Sequence, residues 1–252
     1  GIGGSATNDG GAGMAEALGA KLLNSNGEEI DGSGGSLGEL AHIDLSDLDP
    51  RLKDTKITVM CDVDNPLCGP RGASAVYGPQ KGATPEMVEK LDKNLAHFAQ
   101  KIQETIGQDF KDIPGAGAAG GLGMGLMAFT GAKLMTGIEA ILDVVDFDSK
   151  VQQAELVITG EGRIDGQSVH GKVPMGVARR AQKYGKPTVA IVGSIGQGYE
   201  ALYNYGLSTV QTIVNGPLTL EEAMANAFDL TADAAERLIR GLQIPLKYNL
   251  SL

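Results

Sequence analysis

Glu155-Leu-Val-Ile-Thr-Gly-Glu-Gly-Arg-Ile-Asp-Gly-Gln-Ser168, continued by Val-His-Gly171-Lys172, decides the fold class. The apolar run up to Ile158 reads as a buried strand, and Val173 to Tyr184 reads as a helix. Between them lie glycines, charged side chains and hydroxyls, at what a parallel α/β sheet makes the C-terminal edge of a strand, where ligands bind. Gly-rich backbone there can approach a phosphate closely, and a following helix N-terminus favours an anion. Gly166 to Lys172 spells G-x-x-x-x-G-K, but Val173 stands where a phosphate-binding loop needs Ser or Thr for Mg²⁺. The expected strand also ends too early for that loop.

Outward from this stretch the pattern is regular. Leu156 to Thr159, Thr188 to Val192 and Thr209 to Val214 are expected strands, alternating with helices at Val173 to Tyr184 and Gly198 to Tyr203. A final helix is expected over Thr219 to Gly241. Such alternation means a parallel sheet with crossover helices. Upstream the pattern is mixed. Lys56 to Met60 is a strand candidate, and Thr84-Pro85 is a helix start with Met87, Leu91, Leu95, Phe98 and Ile102 as its core stripe. Gly69 to Gly82 reads as loop with room for one helical turn, and short helices are expected near Ile138 to Val144 and Ser149 to Ala154. The reading is an α/β chain of two domains with a boundary near residue 145.

The 252 residues suffice for a large core. The 37 glycines are dispersed through motifs, which excludes a collagen-like repeat. A net charge of −10 argues against a general nucleic-acid or anionic-membrane binder, though a nucleotide site needs only local positive potential. With no Trp, 6 Tyr and 5 Phe, stacking platforms for single strands are disfavoured. Cys61 and Cys68 lack histidine neighbours and read as a reduced pair. No apolar stretch approaches the ~20 residues that span a bilayer. The chain opens on Gly-Ile-Gly-Gly-Ser, inside a motif and without Met, and reads as a fragment whose natural N-terminus lies upstream.

Several constellations carry candidate chemistry, each beside a plainer reading. Ser5-Ala-Thr7-Asn8-Asp9 offers hydroxyls, an amide and a carboxylate before a helix. They suit phosphate, substrate or metal contact, and equally a helix cap. Asp62 and Asp64 follow a strand, as metal ligand, general base or surface carboxylates. Arg71 has the planar fork that grips carboxylate or phosphate, or is a solvated charge. Gly115, Gly117, Gly120 and Gly121 precede a helix, as phosphate cradle or as close packing. Glu161, Arg163 and Asp165 fall within five residues, as a catalytic cluster or a surface ion pair. His170 could donate to an anion, whereas His42 and His97 read as structural.

Four motifs together, Gly1 to Gly11, Cys61-Asp-Val-Asp-Asn-Pro-Leu67, Pro114-Gly-Ala-Gly-Ala-Ala-Gly-Gly-Leu-Gly123 and Thr159-Gly-Glu-Gly-Arg-Ile-Asp165, closely resemble the bacterial glycerate kinase family from Gly1 to about Leu242. Gly3 to Thr7 is also loosely similar to the phosphate loop of galactokinase-type kinases, which lack the late Thr159 to Asp165 type of segment. The glycerate kinase resemblance implies a Rossmann-like parallel α/β domain built from both chain ends, a middle α/β domain, and a site between them. On that pattern residues 1–145 are the middle domain and 146–252 the C-terminal part of the Rossmann-like domain. The family's N-terminal third would be absent, and Pro245 to Leu252 match nothing in it. The implied reaction is phosphorylation of D-glycerate by ATP with Mg²⁺, 2-phosphoglycerate being favoured as product. A different small-molecule kinase and a non-catalytic binding module are the alternatives. Asp62, Asp9, Arg163 and Asp165 are then expected to be catalytic. Ser5, Thr7, Asn8, Arg71 and Lys172 are expected on substrate. Gly115, Gly117, Gly120, Gly121, Gly160 and Gly162 are expected against ATP, and Asp64 and Glu161 on Mg²⁺. A cytoplasmic enzyme that could form a homodimer, without nucleic-acid or membrane partners, is expected.

Overall fold

The computed structural model describes residues 1–169 and 171–248; His170 and residues 249–252 lie outside them. The chain is a mixed α/β structure with parallel pairing, divided into two compact units, Gly1–Gly137 and Ile138–Leu252.

The first unit carries α1 (Ala12–Ala17), β1 (Lys21–Leu23), β2 (His42–Asp44), β3 (Thr58–Met60), α2 (Ala73–Tyr77), α3 (Pro85–Ile106), α4 (Leu122–Thr130) and β4 (Lys133–Met135). β1 and β2 pair antiparallel, while β3 and β4 pair parallel. The long helix α3 starts where Thr84 accepts the Met87 N–H at 3.3 Å, with Pro85 in the first position. It ends at Gly107, whose φ of 81° favours glycine. Leu95, Phe98 and Ile102 are fully buried in a core with Leu22, Leu37 and Met124. Met87, expected in that stripe, is 53% exposed, because the helix begins before the core does. His97 donates from Nε2 to the Leu40 carbonyl, 2.7 Å away.

In the second unit, α5 (Gly137–Val144, its first residue closing the first unit) and α6 (Phe147–Gln153) precede β5 (Val157–Ile164). Then follow α7 (Val173–Lys183), β6 (Thr188–Ile195), β7 (Thr209–Thr212), α8 (Leu220–Ala225) and α9 (Ala227–Tyr248). The three strands form one parallel sheet in the order β5-β6-β7. β6 is buried on both faces. Ala190 and Val192 join Ile164, Met175 and Leu202, while Val189 and Ile191 join Ile213, Leu230 and Leu238. That two-sided burial explains its unbroken apolar run. Arg180 on α7 is nearly buried and bound by Glu139, Asp143 and Asp148. Three acidic partners satisfy its guanidinium, as burial of a charge demands.

Two expectations are corrected. β5 does not stop at Thr159. It runs through Gly160, Glu161, Gly162 and Arg163 to Ile164, in register with β6 as far as Ile195. The glycines lack side chains but keep their backbone groups, and those make the ladder. The expected last helix is two helices, α8 and α9, broken at Asn226. α8 opens with a reciprocal capping box between Thr219 and Glu222.

Candidate active site

In the first unit, β3 ends at Met60 and delivers Cys61 and Asp62 beyond its C-terminal end. A cleft of about 480 Å³ opens there, lined by Ser5, Asp62, Tyr77, Lys81, Ala119 and Gly137 among others. Asp62 is its one carboxylate, and Lys81 its one lysine or arginine, among the described residues. Asp62 accepts the Gly137 N–H through Oδ1 at 2.8 Å and is otherwise exposed. The Lys81 ammonium donates to the Ser5 hydroxyl at 2.7 Å and to the Thr7 carbonyl at 2.6 Å. Burial pushes the Lys81 ammonium below the usual lysine range, and nearby Asp9 opposes that only in part. Tyr77 donates to Asn65 Oδ1 at 2.7 Å, its phenol raised first by burial and then by Cys61 and Asp64.

Of the residues nominated from sequence in this unit, Ser5 and Asp62 line the cleft. Asp9 receives the Gly11 N–H at 3.0 Å and the Gly13 N–H at 3.4 Å, just before α1, whose N-cap is Gly11. Asn8 donates to Ser74 at 2.8 Å, leaving its Oδ1 buried and unpaired. Asp64 and Arg71 bind each other at 2.8 Å on the surface, so each offsets the other's charge. Lys81 and Tyr77 went unnoticed in the sequence, since nothing in Gly69 to Gly82 marks either.

The Gly115 to Gly123 run is tightly packed. A methyl group on Gly117 would overlap the Pro66 carbonyl, and one on Gly120 the Thr7 carbonyl. One on Gly121 would sit 2.7 Å from the Gly10 Cα, and one on Gly115 2.9 Å from Leu134. Close backbone approach thus accounts for glycine at these positions. The Thr7 carbonyl lies between Gly120 and the Lys81 ammonium, so the run supports the wall of the cleft from behind.

In the second unit a pocket of about 860 Å³ lies at the carboxyl ends of β5 and β6, lined by Arg163, Asp165, Gly166, Gly196, Tyr199 and Glu200 among others. Arg163 Nε stands 3.6 Å from Asp165, and Lys172 donates to the Arg163 carbonyl at 3.3 Å. Desolvation pushes the Asp165 carboxyl up, but hydrogen bonds from Gln167 and Ser168, with Arg163 and Lys172 nearby, outweigh it and hold it low. Gly166 to Val169 is a 3-10 turn before α7. Gly160, Glu161 and Gly162 lie within β5 and do not line this pocket; His170 lies outside the described residues. Among the described residues no three His, Cys, Asp or Glu side chains converge on a metal position. No helix among them is long and apolar enough to cross a membrane.

The family model for glycerate kinases matches residues 1–243. The chain belongs to the glycerate kinase family. A glycerate kinase of Halalkalibacterium halodurans is 54% identical over 94% of this chain and 63% of its own length. A glycerate 2-kinase of Escherichia coli K12 is 51% identical over 98% of this chain and 65% of its own. The crystal structure of a Salmonella typhimurium LT2 protein described as glycerate kinase 2 superposes with a TM-score of 0.80 at 48% identity, covering 98% of this chain and 64% of that one. This glycerate kinase family chain therefore spans just under two thirds of the length of these relatives.

Proposed function

We propose that this chain is the larger part of an ATP-dependent kinase that phosphorylates the 2-hydroxyl of D-glycerate. The observation that carries the reading is the family match over residues 1–243. The cleft bearing Asp62 and Lys81 is the geometry that fits it. Phosphoryl transfer asks a protein mainly to position its reactants and offset charge. Asp62 fits the base. The Gly137 N–H fixes Oδ1 and leaves Oδ2 free to accept the proton of the attacking hydroxyl. Arg163 and Lys172 fit as charges that attract an anion.

The first unit corresponds on this reading to the family's middle α/β domain, and the second to the C-terminal part of its Rossmann-like domain. Mg²⁺ takes one or two carboxylates and fills its shell with phosphate oxygens and water. Asp64 has one oxygen on Arg71 and Glu161 has one on the Gly162 N–H, so either carboxylate, within its own unit, keeps a second oxygen for such an ion. The ion would neutralise phosphate charge during transfer. A cytoplasmic location, and a homodimer as the assembly to look for, complete the proposal. The test is ADP release by the full-length protein with Mg-ATP, with and without D-glycerate. Glycerate-dependent ADP is expected; equal release without glycerate overturns the reading.

A further inference from the structure

We propose that Lys81 is the specificity-determining cation of the first unit's cleft, recognising the carboxylate of the acid substrate. The inference rests on reading that cleft as the acid's site. An ammonium has three N–H donors. Lys81 spends two, on the Ser5 hydroxyl and the Thr7 carbonyl, and both acceptors are neutral. No carboxylate among the described residues comes within ion-pair distance of it. Lys21, Arg51, Arg71 and Lys101 each hold an Asp or Glu. Of this unit's lysines outside those pairs, Lys81 and Lys111 are half-buried, and of these two Lys81 is the one that lines the cleft.

Partial burial of a charge without an opposite charge is costly, and an incoming carboxylate offsets that cost. The net charge of −10 repels an anion overall, so recognition requires a local cation of this kind. The two protein hydrogen bonds hold the ammonium in place, which limits the side-chain entropy lost on binding. A 2-hydroxy acid carries its carboxylate on the carbon that bears the hydroxyl. Anchoring the one at Lys81 leaves the other for Asp62, the cleft's carboxylate.

Lys81→Gln and Lys81→Arg in the full-length protein test this with two substrates, D-glycerate and its uncharged amide. A charge-assisted hydrogen bond corresponds to about 10- to 100-fold in kcat/KM. Lys81→Gln is expected to lose that much on glycerate, through KM, with less than about threefold loss on the amide and an unchanged KM for ATP. Lys81→Arg, which keeps charge and donors, is expected to retain the preference for acid over amide. Equal losses on both substrates would mean that Lys81 only holds Ser5 and Thr7 in place, and would overturn the proposal. So would an unchanged preference in Lys81→Gln. Calorimetric titration of D-glycerate without ATP separates this from the kinase reading. Wild-type protein that binds glycerate but releases no ADP overturns the kinase and supports Lys81 if Lys81→Gln loses binding. Absence of both binding and turnover overturns both.

Discussion

The Asp62 carboxylate accepts the Gly137 N–H at 2.8 Å through Oδ1, and its second oxygen has no protein partner among the described residues. The side chain is thus oriented without being consumed. Asp62→Asn keeps size and an acceptor for Gly137 while removing the charge. Kinetics of the full-length variant should show a fall in kcat/KM of about 10²- to 10⁴-fold, the usual contribution of a general base. A fall of less than about tenfold, or ~1.4 kcal/mol, removes Asp62 from that role.

Arg163 and Asp165 line the pocket at the ends of β5 and β6, and Lys172, outside that lining, donates to the Arg163 carbonyl. Arg163→Lys keeps charge but loses the fork, and turnover or substrate affinity should drop. Lys172→Ala should weaken binding of ATP or glycerate more at low salt than at high salt, since ions screen an exposed charge. Unchanged kcat and KM in both variants, across salt, would detach this pocket from the reaction.

Glycines of positive φ separate packing from backbone freedom. Gly120 has φ 72°, and an added methyl would overlap the Thr7 carbonyl; Gly131 has φ 65° with nothing within 4 Å. Urea unfolding should show Gly131→Ala costing about 1–2 kcal/mol, the left-handed penalty alone. Gly120→Ala should cost more than about 3 kcal/mol, since backbone must move as well. Similar values for the two would show that the Gly-rich run is not held by close approach.

These glycines also mark what sequence could and could not disclose. The parallel sheet was legible, because β6 is apolar on both faces and helix patterns flank it. The extent of β5 was not, since glycine reads as loop even where its backbone is laddered to β6. The three-residue strands β1, β2 and β4 are too short by themselves to show a period of two, whereas β3, equally short, sits in Lys56-Ile-Thr-Val-Met60, which alternates. Asp62 was legible from its place after β3. Lys81 was hidden, because its partner Ser5 lies 76 positions away and only the fold brings them together.

Cys68 is half-buried, donates weakly to the Asp92 carbonyl at 3.6 Å, and has its thiol pushed up to about 12, first by burial and then by Asp92. Both cysteines are free. Thiolate is the reactive form, so iodoacetamide at pH 8 should leave Cys68 unmodified in the native protein and label it in urea. Peptide mass spectrometry reads this directly. Native labelling of Cys68 at the unfolded rate would contradict the described burial.

The most direct test of the account is phosphorus NMR of full-length protein mixed with D-glycerate and Mg-ATP. The γ-phosphate signal of ATP should decline while a phosphomonoester doublet grows, split by the single proton on C2 as in 2-phosphoglycerate. A triplet would move the phosphate to the 3-hydroxyl. Loss of ATP to inorganic phosphate alone, or no change with glycerate present, would contradict the assignment of this chain to glycerate phosphorylation.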